Sequence, residues 1–170
     1  PVDVIPGPPG CLKQMVDADN ELGGNIVATS DVPRAETNKY GVLNIEKDNG
    51  RIVTIKGLVE KPKPEKAPST LAVIGRYILQ PEVFAHLEAF EKGEGGEVQL
   101  TDAMAKLIGR QPFHGLRFSG QRYDSGSRLG FLEANIAFAL NDPQIGAEVR
   151  DIIRRYAELD TPPQAIKGRS

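Results

Sequence analysis

The chain has 170 residues, which fits one domain large enough to bury a hydrophobic core. Its 21 basic and 23 acidic residues are spread along the chain and give a net charge of -2, which argues against a nucleic-acid-binding surface. The single cysteine, Cys11, excludes an intramolecular disulfide framework and favours a reducing compartment such as the cytoplasm. No apolar stretch approaches the roughly 20 residues needed to span a bilayer, so we expect a soluble protein with no membrane partner.

The first part of the chain predicts a helix, a buried strand and a hairpin. Apolar residues recur at helical spacing over residues 11–22, where Cys11 is expected to be a small residue on the helix face rather than a nucleophile. The continuous apolar run 26–28 is typical of a strand covered on both faces. Two strand-like runs, 40–45 and 51–55, lie on either side of Asn49-Gly50, whose residues supply the positive φ angles of a tight turn. A helix followed by a buried strand indicates layered α/β architecture.

The rest of the chain continues this alternation. A strand over residues 71–79 is interrupted by Gly75, which indicates either a bulge or a close neighbour such as a ligand passing near the backbone. The two histidines, His86 and His114, are expected to be structural. In chain order the remaining patterns predict a helix from Pro81 to Phe90, a helix over 100–108, a strand over 113–118, a polar segment over 120–127, and helices over 129–140 and 145–156.

The last predicted helix carries Arg150, Arg154 and Arg155 among its polar positions. A solvated face is the ordinary explanation for such a charge cluster, and a contact between subunits is the alternative. The residues after 158 are expected to form a frayed tail.

The dipeptide Glu60-Lys61 is the first candidate for chemistry, because it places a carboxylate beside an ammonium group at the end of an apolar strand. A carboxylate accepts hydrogen bonds from sugar hydroxyls, and an ammonium group neutralises phosphate. The pair therefore predicts a clamp for a sugar phosphate. A Glu-Lys-Pro sequence after a strand is also typical of a solvated exit into a loop, and the spacing alone does not separate the two interpretations.

The second candidate is Asp124, which lies between an aromatic strand end and a Ser-Gly turn. Carboxylate oxygen is the ligand that Mg²⁺ prefers, and this ion takes only one or two protein carboxylates alongside phosphate and water. The alternative is a turn-forming aspartate whose side chain satisfies nearby backbone N–H groups.

Four motifs occur along the chain: Val59-Glu60-Lys61-Pro62, Ala72-Val73-Ile74-Gly75-Arg76-Tyr77, the run 96–103 (Gly-Glu-Val-Gln-Leu-Thr-Asp-Ala) and Tyr123-Asp124-Ser125-Gly126. Upstream of them lie Cys11 to Met15, Asp31-Val32-Pro33 and Lys39 to Val42. Together they resemble one family, the bacterial UTP–glucose-1-phosphate uridylyltransferases. The resemblance covers most of the chain in the order of the family, and it implies an α/β, Rossmann-like nucleotide-diphospho-sugar transferase fold whose mixed sheet is flanked by helices. It implies further that the N-terminal part of the fold is missing, that residues 1–158 form the sugar-phosphate-binding part, and that residues 159–170 form a C-terminal tail.

The resemblance implies a nucleotidyltransferase that makes UDP-glucose and pyrophosphate from UTP and glucose 1-phosphate. In that family the phosphate of the sugar attacks the α-phosphorus of UTP by an in-line displacement, which Mg²⁺ assists. The resemblance therefore implies that catalysis depends mainly on charge stabilisation and positioning. The resemblance also implies a cytoplasmic homo-oligomer, a dimer or a tetramer.

The same resemblance assigns the site residues. Catalysis would rest on Lys61, which neutralises the phosphates, and on Asp124, which binds the metal. Asp3 would be the second metal aspartate, although Pro1-Val2-Asp3-Val4 differs in order from the Leu-Pro-Asp-Val sequence of the family. Substrate would be bound by Tyr40, Gly41, Glu60, Lys61, Val73 and Gly75, with Glu60 accepting hydrogen bonds from glucose hydroxyls and Gly41 letting the backbone approach the sugar.

The glycine-rich Gly-x-Gly-x-Arg loop, which holds the triphosphate in that family, is absent from this sequence. We therefore expect that the chain alone does not turn over UTP, and pyrophosphate release by the purified chain would contradict this. Two alternatives stay open. One is a nucleotidyltransferase that uses dTTP or another sugar 1-phosphate, and the other is a non-catalytic module that binds sugar nucleotides or serves assembly.

Overall fold

The computed structural model describes residues 3–4, 7–88 and 98–158, which divide into two compact units. The first unit runs from Asp3 to Arg122 and the second begins at Tyr123. The first contains β1 (Asp3–Val4), α1 (Cys11–Leu22), β2 (Asn25–Asp31), β3 (Gly41–Asp48), β4 (Ile52–Glu60), β5 (Leu71–Ile78), α2 (Val83–Glu88), α3 (Leu100–Leu107) and β6 (Phe113–Arg117), with short 3-10 helices at Arg34–Lys39 and Pro64–Lys66. The second contains β7 (Tyr123–Asp124), α4 (Arg128–Asn141) and α5 (Gly146–Ala157).

The sheet of the first unit closes on itself. Its strands follow the order β2-β5-β3-β4-β6, and β6 returns to pair with β2. The β2–β6 pairing is parallel and the others are antiparallel, so the predicted mixed sheet is confirmed. The closure was not predicted, because the apolar pattern of β6 marks a strand without naming its two neighbours.

Strand β2 explains why the core lies on both sides of the sheet. Because successive side chains of a strand point to opposite faces, Ile26 and Ala28 pack with Met15 of α1, whereas Val27 packs in a separate cluster with Met104 of α3. All five of these residues are nearly inaccessible to solvent. The prediction of a strand covered on both faces is confirmed, and helices α1 and α3 provide the cover.

Helix α1 has the predicted bounds, and its buried face includes a polar residue. Leu12 and Val16, two of the apolar residues that predicted it, are exposed, whereas the polar Gln14 is buried. The Gln14 amide nitrogen donates to the carbonyl oxygens of Pro9 (3.0 Å) and Ser119 (2.8 Å), and its Oε1 accepts from the Ser119 N–H at 2.9 Å. Gln14 therefore joins the helix to the chain that follows β6.

Cys11 packs in the core beside α1 residues such as Met15. Burial raises the pKa of the Cys11 thiol above its ordinary value, because it disfavours the charged thiolate. This agrees with the predicted role as a small residue on the helix face.

The β3–β4 hairpin is longer than predicted. The ladder continues from the turn to the pairing of Gly41 with Glu60, so Glu60 is the last residue of its strand. At the turn, Gly50 has a positive φ of 81°, whereas Asn49 does not. Arg117 donates to both carboxylate oxygens of Asp48 at 2.9 Å, and these bonds lower the pKa of Asp48. The guanidinium of β6 thus ties the hairpin turn to the closing strand.

Gly75 forms a bulge in β5. Its φ of 55° lies in the left-handed region, which glycine adopts without a steric penalty. The β2–β5 register shifts between the Val27–Tyr77 and Thr29–Val73 pairs, which enclose Gly75. Of the two interpretations of this glycine, the structure supports the bulge.

The remaining elements largely follow their predictions. Helix α2 begins two residues after Pro81, and its predicted end at Phe90 lies outside the described residues, as do residues 159–170. The predicted polar segment contains the short strand β7, which the sequence pattern did not indicate. Among the described residues, no helix is long and apolar enough to cross a membrane.

We predict that Gln14→Leu lowers the free energy of unfolding by about 1–3 kcal/mol, because leucine removes the three hydrogen bonds that the buried Gln14 amide makes to Pro9 and Ser119. Chemical denaturation followed by circular dichroism measures the change. The neighbouring, exposed Lys13→Leu is the control and should change stability by less than about 0.5 kcal/mol. Equal effects of the two substitutions would contradict the role given to Gln14.

Candidate functional site

The predicted residues of the first unit meet at the end of the β3–β4 ladder away from the turn. Gly41 pairs with Glu60, and the N–H of Lys61 donates to the carbonyl of Tyr40 at 2.9 Å. Four residues from two segments of the sequence are thereby held side by side. The interpretation of Glu60-Lys61 as the first residues of a solvated loop does not describe Glu60, which belongs to the strand.

The two charged side chains of this pair have different surroundings. The Glu60 side chain is 14% exposed and that of Lys61 is 51% exposed, and Lys61 Nζ lies 3.8 Å from Glu60 Oε1. An ion pair of this length with one exposed partner adds little stability. Glu60 is therefore a largely buried acceptor, and Lys61 is a half-exposed cation beside it.

Close packing around position 41 requires a glycine there. A Cβ atom added there would lie 3.2 Å from Glu60 Oε2 and 3.1 Å from the Cγ2 atom of Thr101. Both distances are tighter than ordinary contacts, so any side chain at this position would push against the carboxylate and against α3. The glycine thus allows the Glu60 carboxylate and Thr101 to lie close to the β3 backbone.

The backbone of Lys61 is strained. Its φ of 44° is the one positive value that the described residues show outside glycine. Such a conformation costs roughly 1–2 kcal/mol for a residue with a Cβ atom. The hydrogen bond to Tyr40 helps to hold this conformation, which is typical of a position where function sets the direction of a side chain.

Two neighbours of Glu60 were not assigned a role by sequence reasoning. The Thr101 hydroxyl is buried and has no hydrogen-bond partner among the described residues. Burial raises the pKa of the Tyr77 phenol, and the negative charge of Glu60 raises it further. Thr101 falls within the 96–103 motif and Tyr77 ends the 72–77 motif, and these two motifs were the available signals.

Arg122 is another residue that sequence reasoning missed. Its guanidinium carbon lies 5.2 Å from the centroid of the Tyr40 ring, and both terminal nitrogens lie 3.4 Å from the Tyr40 hydroxyl. A cation over the face of an aromatic ring is attracted by the ring quadrupole. Arg122 therefore holds the Tyr40 side chain on one side of the Tyr40-Gly41 segment.

Val73 and Gly75 are placed differently from the other predicted residues. The side chain of Val73 is 6% exposed and packs in the core cluster with Leu43 and Met104, and Gly75 lies in the bulge described above. The Val73 side chain therefore packs in the core, so only the backbone of Val73 could line a pocket.

The second unit holds Asp124 in a turn. Its Oδ1 accepts from the Gly126 N–H at 3.0 Å, and its carbonyl accepts from the Ser127 hydroxyl at 3.2 Å. Ser127 in turn caps α4 by accepting from the Gly130 N–H at 3.0 Å. Asp124 has the geometry of a turn-former, and its exposed carboxylate also retains the chemistry of a metal ligand.

The other predicted metal ligand is Asp3, which lies in β1, and its side chain is outside the described part of the structure. Within that part, no group of three or more histidine, cysteine, aspartate or glutamate side chains could hold a metal ion. His86 lies in α2 and His114 in β6, and burial lowers the pKa of His114.

A comparison with known protein families shows the family of this chain. The family model described as nucleotidyl transferase matches residues 3–139. The chain belongs to this nucleotidyl transferase family. Its fold is therefore that of the nucleotide-diphospho-sugar transferases, with the mixed sheet and flanking helices described above.

Individual members of the family are similar to this chain over most of its length. A UTP–glucose-1-phosphate uridylyltransferase of Komagataeibacter xylinus is 55% identical over 129 residues, which are 76% of this chain and 45% of that protein. A solved UDP-glucose pyrophosphorylase complexed with UDP-glucose is 40% identical with a TM-score of 0.76, covering 80% of this chain and 52% of that one. The UTP-bound enzyme from Acinetobacter baumannii is 30% identical with a TM-score of 0.77, covering 89% and 53%. The chain thus spans about half the length of these relatives.

We predict that Glu60→Gln lowers the pKa of Tyr77 toward its ordinary value without reaching it, because burial, the larger cause, remains. An alkaline titration of tyrosinate absorbance measures this, and Tyr77→Phe identifies the signal. The raised pKa also means that the contribution of Tyr77 to stability is fully present below the unfolded value of about 10 and is lost as the pH rises through the folded value. An unchanged titration in Glu60→Gln would show that the carboxylate does not act on Tyr77.

Proposed function

We propose that this chain carries the sugar-phosphate-binding part of a UTP–glucose-1-phosphate uridylyltransferase, which makes UDP-glucose and pyrophosphate from UTP and glucose 1-phosphate. One observation carries the proposal. The largely buried Glu60 carboxylate and the half-exposed Lys61 ammonium lie at one strand end, next to a glycine whose lack of a side chain gives the carboxylate room. The relatives with this printed activity and up to 55% identity support a uridylyl rather than a thymidylyl donor.

The two side chains have complementary roles in this proposal. Glu60 accepts hydrogen bonds from glucose hydroxyls, and the low exposure of its side chain strengthens such bonds because water competes less. Lys61 neutralises the phosphate oxygens, for which a flexible ammonium group at the rim is suited. Tyr40, Gly41 and the backbone from Val73 to Gly75 line the sugar pocket, and Thr101 offers a further hydroxyl beside it.

Asp124 is proposed as a ligand of Mg²⁺, with Asp3 as the second candidate. The exposed carboxylate of Asp124 fits this ion, which needs only one or two protein carboxylates and takes its other ligands from phosphate and water. When bound, Mg²⁺ supplies positive charge for the phosphate oxygens. The contribution of the chain is to orient the sugar phosphate through Glu60 and to balance charge through Lys61, which lowers the barrier by positioning and electrostatics.

Two further properties complete the proposal. We place the protein in the cytoplasm, which the single buried cysteine supports, and we propose a homo-oligomer of two or four copies. Both agree with the family resemblance of the sequence.

We predict that Glu60→Ala weakens binding of UDP-glucose in the presence of Mg²⁺ by about tenfold or more, the equivalent of one charged hydrogen bond. Isothermal titration calorimetry measures the affinity. The matched control is Glu46→Ala, an exposed glutamate on β3, which should bind as the wild type does. Asp124→Asn should weaken binding with Mg²⁺ present and have no effect in EDTA. Binding that neither substitution weakens would contradict the site assignment.

We also predict that Gly41→Ala weakens the same binding by about tenfold while the protein stays folded, because the added methyl group displaces the Glu60 carboxylate. Gly10→Ala is the control, since a Cβ atom there meets only an ordinary contact at 3.6 Å. Calorimetry with UDP-glucose and circular dichroism separate loss of binding from loss of folding. Unchanged affinity in folded Gly41→Ala would show that the sugar does not approach this backbone.

A further inference from the structure

The second unit exposes an apolar groove between helices α4 and α5. The groove has a volume of about 720 Å³, and most of its lining is apolar, including Ile136 of α4 and Ile153 of α5. Leu132, Ile152 and Tyr156 also line it and are 54%, 44% and 56% exposed. A contiguous apolar surface of this kind marks an interaction site rather than ordinary scatter of apolar residues.

The pattern of α5 shows how this face is bordered. At 100° per residue, Ile145, Ile152 and Tyr156 form one exposed stripe along the helix. Glu148 and Arg155 are seven residues apart and therefore lie on one edge of that stripe. Along this edge, the stripe has a negative charge in the first turn of α5 and a positive charge in the last turn.

These two charges differ from the others on the same helix. Arg154 donates to Asp151 at 3.2 Å, and Arg150 donates to the carbonyls of Leu140 and Gly146 at 3.4 Å. Neither Glu148 nor Arg155 makes a hydrogen bond or ion pair with another described residue. They are available to a partner, whereas Arg150 and Arg154 are engaged within α4 and α5.

We propose that a second copy of this chain covers the face, with its α5 antiparallel to the first across a two-fold axis near Ile152. In that arrangement Glu148 of each copy faces Arg155 of the other, so one pair of opposite charges occurs twice. A parallel arrangement would place like charges at the same level. The charge pattern therefore selects the antiparallel orientation and makes the face complementary to itself.

The apolar residues fit the same register. Ile152 meets its own counterpart near the axis, and Tyr156 of one helix lies about 3 Å along the axis from the level of Val149 of the other, within reach of its side chain. Burial of these side chains and of Leu132 supplies the driving force, and the charge pairs set the orientation. This inference gives a surface to the homo-oligomer proposed above and does not depend on uridylyl transfer.

Charge reversal tests the orientation. In sedimentation equilibrium, Arg155→Glu and Glu148→Arg should each raise the dimer dissociation constant about tenfold, because two attractions become two repulsions. The double variant Glu148→Arg/Arg155→Glu should restore the wild-type constant. Arg154→Glu, a charge reversal on another edge of the helix, is the matched control and should change the constant less than about twofold.

Crosslinking gives an independent readout of the same register. A mixture of Glu148→Cys and Arg155→Cys chains should form a disulfide-linked dimer under oxidation, whereas each variant alone should not, and the buried Cys11 is common to all samples. UDP-glucose binding measured on each variant should stay at the wild-type level, which separates failure of this inference from failure of the proposed function.

Three results would overturn the inference. They are a wild-type chain that stays monomeric at every concentration, a dimer that Arg155→Glu leaves unchanged, and a double variant that remains as weak as the single ones. Any of them would mean that something other than a second copy in this register covers the groove.

Discussion

The pairing of Gly41 with Glu60 at the end of the β3–β4 ladder is the constraint on which the candidate site depends. It places the Glu60 carboxylate of β4 next to the glycine backbone of β3. The hydrogen bond from the Lys61 N–H to the Tyr40 carbonyl extends the pairing of the two strands by one residue. A shift of one residue would turn Glu60 to the opposite face and place a side chain over it. The register of this hairpin is therefore also the geometry of the site.

The rest of the first unit keeps that register in place. Arg117 of the closing strand binds Asp48 next to the turn, and Gln14 ties α1 to the chain after β6 through three hydrogen bonds. Helix α3 supplies both core residues and Thr101, so one helix stabilises the sheet and borders the site. These contacts stabilise the unit enough to offset the strain in the Lys61 backbone.

Sequence reasoning succeeded where the signal was local. The bounds of α1 and α3, the position of the hairpin and the buried strand β2 follow from periodicity, caps and turn residues. The roles that the ordered motifs give to Glu60, Lys61 and Asp124 stay predictions. It missed Gln14, Tyr77 and Arg122, because each acts through a partner far away in the chain. It could not show that Leu12 and Val16 are exposed, since apolar spacing shows that a helix is amphipathic and not which residues its neighbours cover.

The sequence by itself determined which groups are available: a carboxylate beside an ammonium, an aspartate in a tight turn, and a last helix with an apolar stripe and mixed charges. Only the tertiary structure decided how they are used. It buried Glu60 and left Lys61 at the rim, closed the sheet with β6, and engaged Arg150 and Arg154 while leaving Glu148 and Arg155 at an exposed edge. The physical reason is that burial, hydrogen bonding and charge pairing depend on neighbours in space, which a local pattern of residues does not encode.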